Sequence, residues 1–518
     1  MAASAVSIAK AVAAGEARPS EVLSEHVARY RETAAALNAL VQPRHAAARR
    51  EAEHLESRLR AGAAAGPLAG VPVSVKECFA VAGLVTSLGI PARRQALDGE
   101  DAPIVARLRE AGAIIVGKGN VPQALYLHET DNPVWGRTNH PIDAARGPGG
   151  SSGGDAALVA AGVVPLAVGT DLAGSVRQPA HACGIAGFLP RSAVGGDGGC
   201  FDTVPHLTVV RPRAGFFART VTDVKHAFEL LVNTPQFDHP ARDTVSMPAT
   251  RGPDATSGRL RVAWWDDAGP IEPSPAVRRG VHEAVSRLAR AGAETVRLDG
   301  SLAAEAAWLH LAVLSADGGA DIRRLFGDAR PIPPVATLLR LAGFPMRLRS
   351  LLAFLSQSVG GRIEAAALRV TGPRSSRDFA ALCGRRAEFA TRFAAAVAPY
   401  DAIVCPVSAL PALRHGTAAR LVLAAAPCLL ANLLDLPAGS VPITRVRSDE
   451  ENGRVRSRDR VVQAAAAADR DSCGLPIGVQ VVGVPGLASA ADPLRPERIV
   501  LDVMRLLEQG PPQHPTVG

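Results

Sequence analysis

Gly149-Gly150-Ser151-Ser152-Gly153-Gly154, followed by Gly169-Thr170-Asp171-Leu172-Ala173-Gly174-Ser175, is the stretch that decides how the chain reads. Between the two turns, residues 155–162 have the pattern of a helix and 163–168 that of a buried strand. Each glycine-rich turn presents a serine. Glycine lets backbone approach another molecule closely and frees N–H groups to meet an oxyanion. Upstream, Val71-Pro72-Val73-Ser74-Val75-Lys76-Glu77 sets a lysine in an apolar run. A serine hydroxyl becomes a nucleophile when a base takes its proton. Lysine serves as that base when burial lowers its pKa and leaves it neutral, and a second serine can relay the proton. Two serines and a lysine therefore make a hydrolytic site without histidine.

Working outward, 20–62 reads as helical, with Val22, Leu23, His26, Val27 and Tyr30 at helical spacing. An earlier amphipathic helix ends at Gly15, and the next begins near Pro19-Ser20-Glu21. Strand candidates follow at 67–75, 113–117, 260–265, 402–406 and 478–483, with helices at 102–112 and 275–292. Strands alternating with helices predict an α/β layer fold around a parallel or mixed sheet. Residues 236–258 and 445–473 read as surface segments, and 509–518 as a loose tail.

Composition narrows the class. The chain has 518 residues, 47% hydrophobic but only 4% aromatic, so its core is mostly Ala, Val and Leu. Length alone suggests several domains, although large α/β enzymes often fold as one unit. The net charge of +8 is spread against 49 acidic residues, which argues against a nucleic-acid partner. Seven scattered cysteines include no C-x-x-C pair, which argues against a disulfide framework and against a zinc site. Residues 1–15 lack the charged start and cleavage site of a signal peptide, and the most apolar run, 421–434, contains Pro427 and Asn432. A soluble or peripheral cytoplasmic protein is expected.

The lysine strand, the G-G-S-S-G-G turn and Gly169-Thr170-Asp171-Leu172-Ala173-Gly174-Ser175-Val176-Arg177-Gln178-Pro179 stand in the order found in the amidase signature family, which the chain resembles. Asn132-Pro133-Val134-Trp135-Gly136-Arg137-Thr138-Asn139, Cys183-Gly184-Ile185-Ala186-Gly187, Leu436-Pro437-Ala438-Gly439-Ser440 and Gly474-Leu475-Pro476-Ile477-Gly478 extend the resemblance over roughly 5–508. It implies one catalytic domain over 63–508, preceded by helices at 1–62, with a central mixed twisted sheet flanked by helices on both faces. It implies Ser175 as nucleophile, Ser151 as bridging serine after a cis peptide bond, and Lys76 as final base and acid. The N–H groups of Leu172, Ala173, Gly174 and Ser175 would form the oxyanion hole. Ser152, Thr170, Asp171 and Arg177 would support them, and Asp155 reads as a helix cap. Neither metal nor organic cofactor is implied. Ala173 stands where the family has glycine, which strains the turn if its φ is positive. Phe188-Leu189-Pro190-Arg191-Ser192 departs from the family's substrate-side loop.

Val73-Ser74-Val75-Lys76-Glu77-Cys78-Phe79, Asn120-Val121-Pro122-Gln123 and Asn432-Leu433-Leu434-Asp435-Leu436-Pro437 most resemble the fatty acid amide hydrolase branch. That implies a small-molecule amide substrate, with a lean to long N-acyl chains. Residues 333–355 fit an apolar helical cap broken at Pro345, with Arg340, Arg347 and Arg349 placed to meet lipid headgroups. A buried helix pair and a homodimer contact fit the same pattern. The amide-cleaving reading has three rivals. One is an amide-forming or acyl-transferring enzyme using the same triad. Another is the amidotransferase A subunit that amidates misacylated tRNA. The third is a non-catalytic binding protein that retains the fold.

Overall fold

The computed structural model describes residues 3–205, 207–232, 259–267, 269–489 and 491–508. The segments 236–258 and 509–518 lie outside the described residues. The described strands are β1 (Leu40–Pro43), β2 (Pro72–Lys76), β3 (Ile114–Gly119), β4 (Asp131–Asn132), β5 (Gly136–Arg137), β6 (Leu166–Asp171), β7 (Ala186–Leu189), β8 (Arg213–Ala218), β9 (Arg261–Trp264), β10 (Glu294–Arg297), β11 (Ala402–Pro406), β12 (Ala438–Arg445) and β13 (Pro476–Gly483). Eleven of them form one sheet in the order β1-β3-β2-β6-β8-β7-β12-β13-β11-β9-β10, while β4 pairs with β5. Neighbours β3, β2 and β6 run parallel, as do β11, β9 and β10; the other pairs are antiparallel. The fold is thus the expected α/β architecture, one mixed sheet between helical layers.

Both faces of the central strands are covered, which is why they read as continuous apolar runs rather than alternating ones. Val73, Val75, Leu166 and Val168 enter one core layer. Ala167 and Phe217 enter the opposite layer, with Ala156, Ala157 and Leu158 of the helix Gly153–Ala160. Successive side chains on a strand point to opposite faces. Ser74 and Lys76 therefore share the face opposite Val73 and Val75.

The amino-terminal region departs from the continuous helical reading of 20–62. The helix Pro19–Leu37 stops at Asn38, whose φ of 48° is a left-handed helix stop that asparagine tolerates. Leu40–Pro43 then leaves the helical path as β1 and pairs antiparallel with β3 before the helix His45–Arg60 begins.

Segment 333–355 forms the helices Pro333–Gly343 and Met346–Ser358. Phe344 between them is extended, as steric conflict with the Pro345 ring requires. Arg340 and Arg347 are exposed, but Arg349 is buried, which corrects its expected place among lipid headgroups. Its guanidinium donates to the carbonyls of Leu341 and Leu368 and to the Thr371 hydroxyl. Those carbonyls belong to the last turns of two helices, where the regular i+4 amide donors run out. The buried cation thus joins two helix ends whose dipoles favour it.

Segment 445–473 is more than a surface insertion. It contains the helix Arg460–Asp469, whose Val461, Ala465 and Ala468 pack with Leu410 and Leu413. Arg146 fastens it by donating to the carbonyls of Ala468 at 2.8 Å and Arg470 at 2.7 Å. Among the described residues no helix is long and apolar enough to cross a membrane.

Candidate active site

The site forms at the carboxyl ends of the parallel neighbours β2 and β6, where Lys76 and Asp171 are the last strand residues. Chains leaving adjacent parallel strands open a crevice at this edge. Lys76 Nζ lies 2.7 Å from Ser151 Oγ, 2.8 Å from Thr170 Oγ1 and 3.2 Å from the Thr170 carbonyl oxygen. The lysine is completely buried, and desolvation holds its pKa below the ordinary value, against the opposing pull of Cys78, Cys200, Asp155 and Asp171. Burial thus favours the uncharged amine, with a serine hydroxyl in reach.

Ser151 follows a cis peptide bond from Gly150. The next residue, Ser152, ties the two serine turns together: its amide donates to the Ser175 carbonyl at 3.3 Å, and its hydroxyl meets the Thr170 carbonyl at 3.3 Å. Ser151 and Ser175 line the same cavity, with Thr170, Leu172 and Ala173.

Asp171 organises the turn that carries Ser175. Its carboxylate accepts from the amides of Gly174 at 2.6 Å and Val176 at 3.1 Å. It also accepts from Arg177, through Nε and Nη2, each at 3.0 Å. The partner guanidinium holds its pKa well below the usual carboxylate range despite burial. Arg177 reaches onward to the Cys428 carbonyl at 2.9 Å and to Asn432 Oδ1 at 2.6 Å. Of the sequence-predicted supports, Asp171 and Ser152 thus act on the backbone of the turn, Arg177 backs Asp171, and the Thr170 hydroxyl accepts from Lys76 instead. Because the Gly174 amide is engaged by Asp171, the donors left for an oxyanion are those of Leu172, Ala173 and Ser175. Ala173 does not have positive φ; Gly174 does, at 103°, so the methyl group at 173 sits on ordinary backbone.

Asp155 is not the cap of its helix. It is the third residue of Gly153–Ala160, and its Oδ1 accepts the Ser74 hydroxyl at 2.8 Å. Sequence reasoning also missed His128. Its Nε2 lies 3.1 Å from the Ala173 carbonyl, and burial lowers its pKa to about 4. A neutral ring that donates there fixes the outer side of the turn that carries Ala173 and Ser175. Leu127-His128-Glu129 carries no motif, so only the fold shows this role. Glu77, next to the lysine, accepts from the Ser87 amide at 2.7 Å and the Leu88 amide at 2.8 Å, and so anchors the loop behind β2.

The cavity holds about 920 Å³ and is mainly apolar, with Leu311, Leu338, Leu341, Leu352 and Leu368 among its lining residues. The helix pair of 333–358 therefore turns one side to the cavity. Leu351, Phe354 and Leu355 on its second helix are exposed.

The family model described as Amidase matches residues 21–487. Fatty-acid amide hydrolase 1 of Sus scrofa is 32% identical over 445 residues, covering 83% of this chain and 75% of that protein. A glutamyl-tRNA(Gln) amidotransferase subunit of Deinococcus deserti is 32% identical over 459 residues, covering 85% and 88%. A solved structure of fatty acid amide hydrolase superposes with a TM-score of 0.80 at 21% identity, covering 97% of this chain and 85% of that one.

Proposed function

The chain belongs to the amidase family and is an amide hydrolase, and from that premise we propose that it cleaves N-acyl amides with long apolar acyl chains through Lys76, Ser151 and Ser175. Ser175 Oγ attacks the amide carbonyl as its proton passes to Ser151, whose own proton goes to Lys76 Nζ. The amides of Leu172, Ala173 and Ser175 receive the negative charge that develops on the carbonyl oxygen. Lys76, now an ammonium, returns a proton through Ser151 to the leaving nitrogen, and the amine departs. Water then attacks the acyl-enzyme, deprotonated by the same relay, and releases the acid and Ser175.

The observation that carries the substrate class is the cavity itself. Its volume lies in the upper part of the range for small-molecule sites, and its lining is leucine-rich beside the two serines. The likeness to fatty-acid amide hydrolase 1 supports the same class. The exposed row Leu348, Leu351, Phe354 and Leu355, with Arg340 and Arg347 exposed nearby in sequence, suits contact with an anionic membrane surface from which such substrates enter.

The test is intact-protein mass after fluorophosphonate treatment of wild type and Ser175→Ala, with turnover of a short and a long N-acyl amide. One adduct absent from the variant, with faster turnover of the long chain, supports the reading; absence of an adduct on wild type rejects it. The likeness to the tRNA-dependent amidotransferase supports a second reading, in which the site supplies ammonia to misacylated tRNA. Glutaminase activity and copurifying partner proteins would favour it.

A further inference from the structure

The cavity is mainly apolar, yet several hydroxyl-bearing residues line it besides Ser151, Thr170 and Ser175. Most of them are occupied. Ser315, Thr337, Ser356, Thr371 and Thr417 each donate to a carbonyl three to five residues away, at 2.7 to 3.1 Å. Tyr126 and Thr203 are different: neither hydroxyl has a hydrogen-bond partner among the described residues, and neither is sealed in the core. The phenol oxygen of Tyr126 therefore reaches open space, and the open space that Tyr126 lines is the cavity. A hydroxyl in an apolar wall costs free energy until something bonds to it.

The backbone is bent to place this ring. Tyr126 closes the short turn Gln123–Leu125, in which Ala124 and Leu125 have φ of 55° and 58°. Two consecutive left-handed residues other than glycine are strained, and such strain is kept where the surroundings hold it for a purpose. Gln123 Oε1 accepts from the Ile332 amide at 2.8 Å, which ties the turn to the start of the helix Pro333–Gly343. Asp317, also in the cavity lining, belongs to a loop under the same helix, since a methyl group built on Gly319 would lie 3.0 Å from Leu339 Cδ2. Its carboxylate accepts from the amides of Gly319 at 2.7 Å and Asp321 at 2.8 Å, which fixes it and leaves acceptor sites over.

Resting on the long-chain amidase reading, we propose that Tyr126 and Asp317 form a polar station in the wall of the acyl cavity that takes a hydroxyl group carried by the substrate's acyl chain, so that the preferred substrates are N-acyl amides of hydroxylated long-chain acids.

The chemistry of the two groups selects a hydroxyl. Burial, helped by the Asp317 carboxylate, pushes the Tyr126 phenol up to about 12, so it stays a proton donor at any working pH. A carboxylate only accepts. A hydroxyl on the chain accepts from the one and donates to the other, whereas a plain methylene chain leaves the phenol unpaired. Sites with a built-in polar partner discriminate against ligands that lack the matching group. The station lies along the chain rather than at the scissile bond, because both residues are held against the helix Pro333–Gly343.

The experiment is kcat/KM for wild type, Tyr126→Phe and Thr203→Val. The substrates are an acetyl amide, a plain long-chain amide, and the same long chain with a hydroxyl near the carbonyl, at mid-chain or at the terminal carbon. Wild type should prefer one of the hydroxylated chains over the plain one by about tenfold. Tyr126→Phe removes only an oxygen, so it should melt cooperatively, keep its acetyl amide turnover within about twofold and lose the preference. Thr203→Val should keep the preference. An oxo group at the favoured position accepts from Tyr126 but cannot donate to Asp317, and should fall between the plain and hydroxylated chains; an oxo chain as good as the hydroxylated one removes Asp317 from the station. Plain and hydroxylated chains turned over equally by wild type overturn the proposal, as does a preference that survives Tyr126→Phe or is lost in Thr203→Val instead. Absence of a fluorophosphonate adduct on wild type, or faster turnover of the acetyl amide than of every long chain, rejects the functional reading on which the proposal rests.

Discussion

Arg177 and Asp171 form a two-pronged ion pair with both side chains fully buried, Nε meeting Oδ2 and Nη2 meeting Oδ1 at 3.0 Å each. The same carboxylate receives the amides of Gly174 and Val176, which flank Ser175. The pair therefore holds the turn of Ser175 while remaining outside the cavity lining.

Removing one partner should damage stability and catalysis together. Asp171→Asn leaves the Arg177 guanidinium buried without its counter-charge, a type of loss worth roughly 3–5 kcal/mol. Arg177→Lys keeps the charge but cannot reproduce the planar fork or hold both the Cys428 carbonyl and Asn432. Both variants should show lower urea midpoints than wild type, with kcat reduced more than KM is raised. A variant with normal stability and normal kcat would show that the turn holds itself.

The turn between Asp171 and Ser175 predicts two opposite outcomes at adjacent positions. Gly174 has φ of 103°, and an added methyl group would lie 2.8 Å from Cys428 Cβ. Gly174→Ala should strain the turn and lower kcat by at least tenfold. Ala173 sits on ordinary backbone, so Ala173→Gly should leave kcat within about twofold and cost only the entropy of a freer unfolded chain, roughly 0.5–1 kcal/mol. Parallel kinetics and denaturant melts of the two variants decide the matter.

The cavity wall predicts a change in chain-length preference. Leu338 lines the cavity from the first helix of 333–358. Leu338→Trp should lower kcat/KM for a long acyl amide at least tenfold, while that for an acetyl amide stays within about twofold. On the outer side, Phe354 is 66% exposed. Phe354→Asp should shift stability by no more than about 0.5 kcal/mol. It should weaken binding to vesicles of anionic phospholipid without altering turnover of a short soluble amide. Equal vesicle binding by wild type and Phe354→Asp would remove this face from the membrane contact.

The candidate site was legible as a cluster because its residues are punctuated by glycine. Lys76, Ser151 and Ser175 each sit at the edge of a buried strand or a glycine turn, and such breaks survive in the sequence as fixed local patterns. What stayed hidden depends on contacts between distant segments. Leu40–Pro43 pairs with β3, whose residues begin at Ile114, so its short apolar run blended into the helices on either side. Arg349 looked like a surface cation because its carbonyl partners belong to the ends of two other helices. The helix Arg460–Asp469 was concealed among charged neighbours, and the residues that fasten it, Arg146 and Arg414, lie far from it in sequence. Asp155 was read as a cap from its place after the glycines, whereas its true partner is a hydroxyl on β2.

Asp155 and Asp171 are both wholly buried beside Lys76, yet their contributions to stability should depend on pH with opposite signs. The Arg177 guanidinium keeps the Asp171 carboxyl below its ordinary value near 4. Its stabilisation is therefore full above pH 4 and is lost as pH falls through the folded value. Burial instead raises Asp155 to about 8. Below pH 4 the unfolded and folded chains both hold that proton. Between pH 4 and about 8 the unfolded chain releases it while the fold retains it, so stability drains away as pH rises and levels off beyond about 8. Thermal melts of wild type, Asp155→Asn and Asp171→Asn from pH 3 to 9 measure both effects. The Tm of Asp155→Asn relative to wild type should climb through pH 4–8. That of Asp171→Asn should drop as pH rises towards 4 and then stay low. A difference for Asp155→Asn that does not vary with pH would mean that the carboxyl is ionised in the folded protein, with Lys76 charged beside it.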